Sequence, residues 1–377
     1  MSASPADRTD LRWMRHAVKL AERGEGRTRP NPPVGAVVVK DGRIVGRGWH
    51  RKAGGPHAEV HALADAGEAA RGATLYVTLE PCSTFGRTPP CTDAIKAAKI
   101  ARVVAGTADP NPKHARRGFQ VLEKAGLETR CGVLEPACRQ LIAPFSKWVQ
   151  TGMPYLTLKL GMTADGRIAD SGGLSRWITG PESRAEVHRL RRRADAILVG
   201  ARTVIADDPG LLPEGPDPNP VYRVIIDGEG RSPAQAKVFT DAKAADTILC
   251  VTHDCPDSKR IRWEANGAAV WGVPSRKGRI VLTEVLRLLG KMGLLHVVCE
   301  GGGVLAEGLV REGLVDEFWL FYAPRLLGGR SVPGFGGKGW SLKEAPALTF
   351  DSVVRTGEDL WVRAFPVREE APPCSPD

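Results

Sequence analysis

The sequence predicts an α/β protein of two domains, on three observations. Short β-branched and apolar runs alternate with stretches of helical periodicity, the signature of sheets layered with helices. The alternation runs twice, once before and once after Thr151-Gly152-Met153-Pro154. A chain of 377 residues, 42% of them apolar, suits two hydrophobic cores better than one.

In the first series, Leu11, Met14, Val18 and Ala21 recur at helical spacing and predict an amphipathic helix over residues 11–23. Pro30-Asn31-Pro32-Pro33 ends the loop that follows. Residues 34–40 and 43–48 read as strands joined by Asp41-Gly42, a dipeptide suited to a tight hairpin. A helix is expected over 57–67, a strand over 74–79, a helix opening at Pro81-Cys82 and another over 92–99. A strand over 102–107 and a helix over 118–125 complete the series.

Residues 147–154 read as a linker. The second series predicts strands at 155–160, 196–199, 221–227, 247–252, 296–300 and 317–322, and helices at 181–193, 283–292 and 304–312. The domain bounds are then 1–148 and 152–367. Residues 368–377 are polar and Pro-rich, and predict a disordered tail. No internal repeat is present.

No run of about 18 uncharged apolar residues occurs, so a membrane-spanning helix is excluded. The charged N-terminus lacks the apolar stretch of a secretory signal, and a cytoplasmic location is expected. The 53 Lys and Arg against 43 Asp and Glu are unevenly spread: residues 1–150 carry 24 against 14, and residues 151–377 carry 29 of each. The basic first part invites an anionic partner, a phosphorylated metabolite or a nucleic acid, although a solvated basic face explains the charge as well. Eight cysteines in a chain this long read as reduced thiols; six lack ligand-like company, and Cys82 and Cys91 are the exceptions.

His57-Ala58-Glu59 at a helix start and the pair Cys82 and Cys91 supply one imidazole and two thiolates. That set leaves a tetrahedral Zn²⁺ one open position, which hydrolytic zinc sites keep for water. Glu59, two residues from His57, is placed to move the proton without being a ligand. Zinc nucleobase deaminases carry His-x-Glu followed by Pro-Cys-x-x-Cys. Here eight residues instead of two separate the cysteines: Pro81-Cys82-Ser83-Thr84-Phe85-Gly86-Arg87-Thr88-Pro89-Pro90-Cys91. In the second domain, no G-x-G-x-x-G fingerprint follows a first strand. His296 to Leu305 instead runs from a strand through Gly301-Gly302-Gly303 into a helix, where backbone N–H groups can meet a pyrophosphate. Glycines closing a tight turn explain that segment equally well.

The wide cysteine spacing with Gly86-Arg87-Thr88-Pro89-Pro90-Cys91, His57-Ala58-Glu59-Val60-His61-Ala62 and Asn31-Pro32-Pro33-Val34-Gly35 resembles the bacterial bifunctional riboflavin-biosynthesis family of deaminase–reductases. The likeness continues through residues 158–167, 175–179, 200–209 and 323–329, and so spans nearly the whole chain. It implies an N-terminal, three-layer cytidine-deaminase-like domain and a C-terminal dihydrofolate-reductase-like domain. The first would remove the 2-amino group of 2,5-diamino-6-(5-phosphoribosylamino)pyrimidin-4(3H)-one. The second would use NADPH to reduce the ribosyl group of 5-amino-6-(5-phosphoribosylamino)uracil to ribityl.

By the same resemblance, His57, Cys82 and Cys91 hold zinc, Glu59 is the proton shuttle, and Asn31, His50 and Arg87 bind the first substrate. Gly161, Trp177, Thr203, Asp207 and the turn Gly302, Gly303, Val304, Leu305 and Ala306 would hold NADPH. Ser175, Arg191, Leu211 and Glu300 would hold the second substrate, with Arg191 as phosphate clamp. Lys159 and Asp207 are candidates to position or protonate the sugar, a buried Lys–Asp ion pair being the structural alternative. The chain departs from the family twice: Thr84-Phe85 stands where a histidine is usual after Cys-Ser, and Leu212-Pro213-Glu214 replaces a segment that ends in a phosphate-binding arginine.

A nucleic-acid deaminase of the tRNA-adenosine type, with an accessory α/β domain, is the rival reading. The cysteine spacing, the second domain and the lack of a basic patch interleaved with aromatics argue against it. A zinc-stabilised binding module would close its site with a fourth protein ligand, and none is evident. The expected partner is therefore a phosphorylated pyrimidine, with no nucleic acid or membrane, in a homo-oligomer.

Overall fold

The computed structural model describes residues 5–86, 88–214 and 220–367. Arg87 and the predicted tail, 368–377, lie outside the described residues. The chain divides into two compact units, residues 1–154 with 293–295, and 155–292 with 296–377.

The first unit runs α1 (Pro5–Ala21), β1 (Gly35–Lys40), β2 (Arg43–Trp49), α2 (Ala58–Ala66), β3 (Thr74–Leu79), α3 (Cys91–Ala97), β4 (Arg102–Thr107), α4 (Arg117–Lys124), β5 (Glu128–Cys131), α5 (Glu135–Leu141) and α6 (Ala143–Thr151). Its sheet has the order β2-β1-β3-β4-β5, with β1 antiparallel to both neighbours and β3, β4 and β5 parallel. Alternation along the strands makes two cores. Ala36, Val38, Leu75, Val77, Val103 and Ala105 pack with Ala58 and Ala62 of α2, Ile95 of α3 and Leu122 of α4. Val37, Val39, Tyr76 and Val104 point the other way, onto Met14 and Ala17 of α1 and Cys138 of α5. A sheet apolar on both faces must be covered on both, which gives the predicted three layers. Asp41 and Gly42 form the β1–β2 turn with φ of 49° and 69°, as a tight two-residue hairpin requires.

Two expectations need correction. Residues 147–154 are not a linker: α6, opened by Pro144 in its first turn, continues to Thr151 and stops at Gly152, φ 71°. No helix opens at Pro81-Cys82 either. Residues 82–90 contain two prolines and a glycine, the described ones among them form no helix, and α3 begins only at Cys91.

The second unit contains β6 (Tyr155–Thr163), β7 (Arg167–Ala169), α7 (Pro181–Arg193), β8 (Ala196–Gly200), α8 (Ala201–Asp207), β9 (Tyr222–Ile226), α9 (Lys237–Thr240), β10 (Thr247–Thr252), α10 (Asp257–Glu264) and β11 (Ala269–Val273). Then follow β12 (Ser275–Arg276), β13 (Arg279–Ile280), α11 (Leu282–Lys291), β14 (His296–Cys299), α12 (Gly303–Arg311), β15 (Glu317–Ala323), β16 (Val332–Pro333), β17 (Leu348–Thr356) and β18 (Asp359–Pro366). Nine strands form one sheet, β11-β10-β9-β8-β14-β6-β15-β18-β17, parallel as far as β15 and antiparallel beyond it. Val187 and Leu190 of α7, Val199, Ile225, Phe239, Leu249, Val251, Trp263, Val298 and Phe321 pack into one core against it.

Candidate functional site

The first site stands at the carboxyl ends of β3 and β4, where open α/β sheets place their ligands. Helix α2 sits directly on β2. A methyl group on Gly46 would lie 2.2 Å from the Ala62 carbonyl oxygen, and one on Gly48 2.2 Å from that of Ala58. These bare strand positions set the height of α2, and with it His57, the residue before its first turn, and Glu59, inside that turn. Cys82 follows β3 through Glu80-Pro81, and Cys91 is the first residue of α3.

The His57 Nδ1 atom lies 3.6 Å from Cys82 Sγ and 3.3 Å from Cys91 Sγ, and the three ligand atoms all fall within 4.8 Å of one another. Ligands of a tetrahedral zinc with one nitrogen and sulfurs stand roughly 3.5 Å apart, so the donor set fits that ion. Among the described residues no other group of three or more potential metal ligands comes together in this way. The Cys91 backbone N–H donates to Cys82 Sγ at 3.3 Å. Hydrogen bonds from Cys91, then the His57 imidazole, outweigh burial and hold the Cys82 thiol well below its ordinary range, as a thiolate ligand needs.

Glu59 is 4% exposed. Burial, and then the charge of Cys82, push its carboxyl up to about 7, with His57 opposing. His50 is buried beside His57, the rings edge to face at 5.2 Å. Its Nδ1 donates to the Pro56 carbonyl at 3.1 Å, which leaves Nε2 to accept from the Asn31 amide at 3.1 Å. Burial lowers the His50 pKa, in keeping with this neutral form.

Pro30, Asn31, His57, Glu80, Cys82, Thr84, Thr88, Asp109 and His114 are among the residues that line a cavity of about 290 Å³. Glu80, Asp109 and His114 are absent from the sequence expectation. Glu80 accepts backbone N–H groups from Asp109 (3.0 Å), Arg116 (2.9 Å) and Gly118 (2.8 Å), and so fastens the segment after β4 to the Cys82 loop. The signal was its place between strand β3 and Pro81-Cys82.

The second site is a cavity of about 1410 Å³ along the carboxyl ends of β8, β9 and β14. Lys159, Gly161, Ser175, Trp177, Arg191, Thr203, Asp207, Leu211, Glu300, Gly302, Gly303, Val304 and Leu305 all line it. Ala306 does not; it is buried inside α12, its N–H donating to the Gly302 carbonyl. Gly301 and Gly302 have φ of 139° and 85°, and a methyl on Gly303 would lie 2.3 Å from the Pro333 carbonyl oxygen. Gly301 and Gly302 therefore turn the chain through positive φ, and Gly303 opens α12 packed against a neighbouring loop.

Arg191 makes a bidentate pair with Glu300, Nε–Oε1 2.6 Å and Nη2–Oε2 2.8 Å, while Nη1 donates to the Leu212 carbonyl at 3.1 Å. Its guanidinium is thus directed at protein groups. Burial raises the Glu300 carboxyl, but the Arg191 charge and hydrogen bonds outweigh it and the net shift is downward. Lys159, 6.0 Å above the Phe321 ring, faces this pair; burial pushes its pKa down, with Glu300 opposing. Asp207 does not meet Lys159 in any ion pair of the described residues: its Oδ1 accepts from Ser175 Oγ at 2.8 Å. Trp177 is 62% exposed at the rim, with the Arg184 guanidinium 4.5 Å above its ring.

Residues 7–107 match the cytidine and deoxycytidylate deaminase zinc-binding region, and residues 154–362 match the RibD C-terminal domain. The chain is 42% identical to riboflavin biosynthesis protein RibD of Aquifex aeolicus, over 94% of this chain and 97% of that protein. It belongs to the RibD family. The structure of Acinetobacter baumannii RibD superposes with a TM-score of 0.85 at 36% identity, covering 96% of this chain and all of that one. A Thermotoga maritima protein named diaminohydroxyphosphoribosylaminopyrimidine deaminase/5-amino-6-(5-phosphoribosylamino)uracil reductase gives 0.85 at 34% identity and the same coverage. RibD-family membership makes this chain a riboflavin-biosynthesis enzyme with a zinc-binding deaminase unit and a reductase unit. Among the described residues, no helix is long and apolar enough to cross a membrane.

Proposed function

We propose that the first unit deaminates 2,5-diamino-6-(5-phosphoribosylamino)pyrimidin-4(3H)-one and that the second reduces the ribosyl group of 5-amino-6-(5-phosphoribosylamino)uracil with NADPH. The observation that carries the reading is the convergence of His57 and two cysteine sulfurs beside a small cavity that His57 and Cys82 line, with Glu59 buried next to them.

His57, Cys82 and Cys91 would hold zinc, which when bound supplies a water acidic enough to ionise near neutral pH. Glu59, raised into the range where a carboxyl both accepts and gives a proton, would carry one proton of that water to the ring nitrogen and the second to the leaving amine, which departs as ammonia. Asn31, its amide N–H directed at His50, keeps its carbonyl oxygen free to accept an N–H of the pyrimidine. Arg87 is the proposed phosphate contact on the Cys82–Cys91 loop.

In the second unit, NADPH would lie along the turn at Gly302, Gly303, Val304 and Leu305, against Gly161, Thr203, Asp207 and Trp177. The cavity exceeds the roughly 300–1,000 Å³ of a single-ligand pocket, as a site for a dinucleotide and a sugar phosphate must. Lys159, with its pKa lowered, is suited to deliver the proton that accompanies hydride, and Ser175, Leu211 and Glu300 shape the sugar end. Arg191 then serves by fixing Glu300 rather than by clamping phosphate.

The test is an assay of the full chain with the diaminopyrimidine substrate, following ammonia release and then NADPH consumption, alongside metal analysis. About one zinc per chain and both signals are expected. Zinc-loaded protein that releases no ammonia would overturn the deaminase reading.

A further inference from the structure

Residues 207–214 run along one wall of the second cavity, and four of their backbone carbonyls are held by guanidinium groups. Arg176 Nη2 reaches the Asp207 oxygen at 2.5 Å, Arg223 Nη1 that of Gly210 at 3.3 Å, Arg191 Nη1 that of Leu212 at 3.1 Å and Arg192 Nη1 that of Glu214 at 2.9 Å. Arg223 is unlike the others. It lies on the interior strand β9, its side chain wholly buried, where sheet neighbours on both sides call for an aliphatic residue.

A buried guanidinium persists only when its charge is balanced and its N–H groups are used. Asp241 supplies the balance, accepting from Nη1 at 2.6 Å and from Nη2 at 2.9 Å, and Nε donates to Thr247 Oγ1 at 3.0 Å. Those contacts balance the charge, with Asp241 only half-buried at the end of the guanidinium. The remaining one, to the Gly210 carbonyl, reaches the cavity wall. The next residue, Leu211, lines the cavity with φ of 58°, a conformation leucine rarely adopts unless its neighbours fix it.

We propose that Arg223 is a positioning residue of the reductase site. From behind the wall it holds the Gly210 carbonyl, and through it Leu211, in the conformation that shapes the substrate end of the cavity. The proposal rests on the reading of the second unit as a reductase.

The test uses the full chain, with the Tm of each variant as the control on folding. Arg223→Lys keeps a charge for Asp241 but loses the planar fork that serves Gly210 and Thr247 together. It is expected to raise the reductase KM for 5-amino-6-(5-phosphoribosylamino)uracil about tenfold, the scale of one charge-assisted hydrogen bond, with kcat nearly kept. Leu211→Gly, which removes the fixed wall, is expected to raise KM alike, and the double variant to add nothing further, because both act through one contact. Thr247→Val breaks a different bond of Arg223 and is expected to lower Tm while KM stays put. A folded Arg223→Lys with parental KM overturns the proposal, as do multiplying effects in the double variant or an equal KM rise in Thr247→Val. Should Arg223→Lys not fold, Arg223→Gln combined with Asp241→Asn decides, because it removes the reach to Gly210 and leaves no charge unpaired: in the folded double variant an unchanged KM sinks the proposal and a raised one supports it. A parent chain that oxidises no NADPH with this substrate would instead refute the reductase reading itself.

Discussion

Glu59 and Glu80 are both buried carboxylates of the first site, and their partners separate their roles. Glu59 lies against Cys82 and Cys91, with a carboxyl raised by burial, whereas Glu80 is filled by three backbone N–H groups. Glu59→Gln keeps the shape of the side chain and removes its proton chemistry. Ammonia release is expected to fall by about 10²–10⁴, with zinc content by elemental analysis and NADPH oxidation unchanged. Retained turnover would move the shuttle to another group. Glu80→Gln sets an amide N–H against backbone donors; a loss of about 2 kcal/mol in urea unfolding is expected, with a raised deaminase KM as Asp109 and His114 shift. A variant as stable as the parent would show that the three contacts carry little energy. Glu59 was legible as a candidate because it stands two residues from His57 in a His-x-Glu motif. Glu80 was not, because backbone N–H groups leave no residue type to read, and the same holds for Arg223, whose target is a carbonyl.

Elements whose side chains alternate into a core, or present one apolar stripe, declare themselves. The strands at 74–79, 102–107 and 247–252 and the helix at 181–193 were predicted to the residue. The hairpin β17–β18 was not, since most of the β17 side chains are exposed, so burial imposes no period on the strand. The four-residue edge strand β5 hid for the same reason. Helix α1 is fastened by a polar device that periodicity does not register. Asp10 accepts from Tyr76 Oη of β3 (2.8 Å), from Arg102 of β4 (3.0 Å on each oxygen) and from Arg130 of β5 (2.7 Å). Burial alone raises this carboxyl, but the hydrogen bonds of Arg102 and Tyr76 and the two charges outweigh it and hold it below its ordinary value. A lowered folded pKa gives stability that is present above the unfolded pKa and is lost as pH falls through the folded one. Asp10→Asn should therefore be destabilised by about 2 kcal/mol at neutral pH, and the gap to the parent should close in acid. Urea melts across pH 2–7 measure it; a gap that widens in acid contradicts the sign. At α2 the device is steric. Gly48→Ala drives a methyl into the Ala58 carbonyl, lifts the helix that carries His57 and Glu59, and is expected to lower both bound zinc and ammonia release. Full zinc content in that variant would mean the helix slides without consequence.

Across the whole molecule, the two activities draw on separate sets of residues. Every residue that lines the large cavity comes from the second unit, and every residue at the metal-ligand cluster from the first. The charge is divided in the same way, the excess of Lys and Arg falling entirely within residues 1–150. That division was readable from composition and motif alone, because each site's chemistry is carried by residue types that cluster in one half of the chain. It also makes the sites separable by a reagent that touches only one of them. Cys82 and Cys91 stay clear of the reductase cavity, so stripping zinc with a chelator at neutral pH is expected to bring ammonia release to background. NADPH oxidation on 5-amino-6-(5-phosphoribosylamino)uracil should keep its parental KM and kcat, and added Zn²⁺ should restore ammonia release. A parallel fall of NADPH oxidation would mean that the metal supports the reductase fold as well, and that the two units do not keep their functions apart.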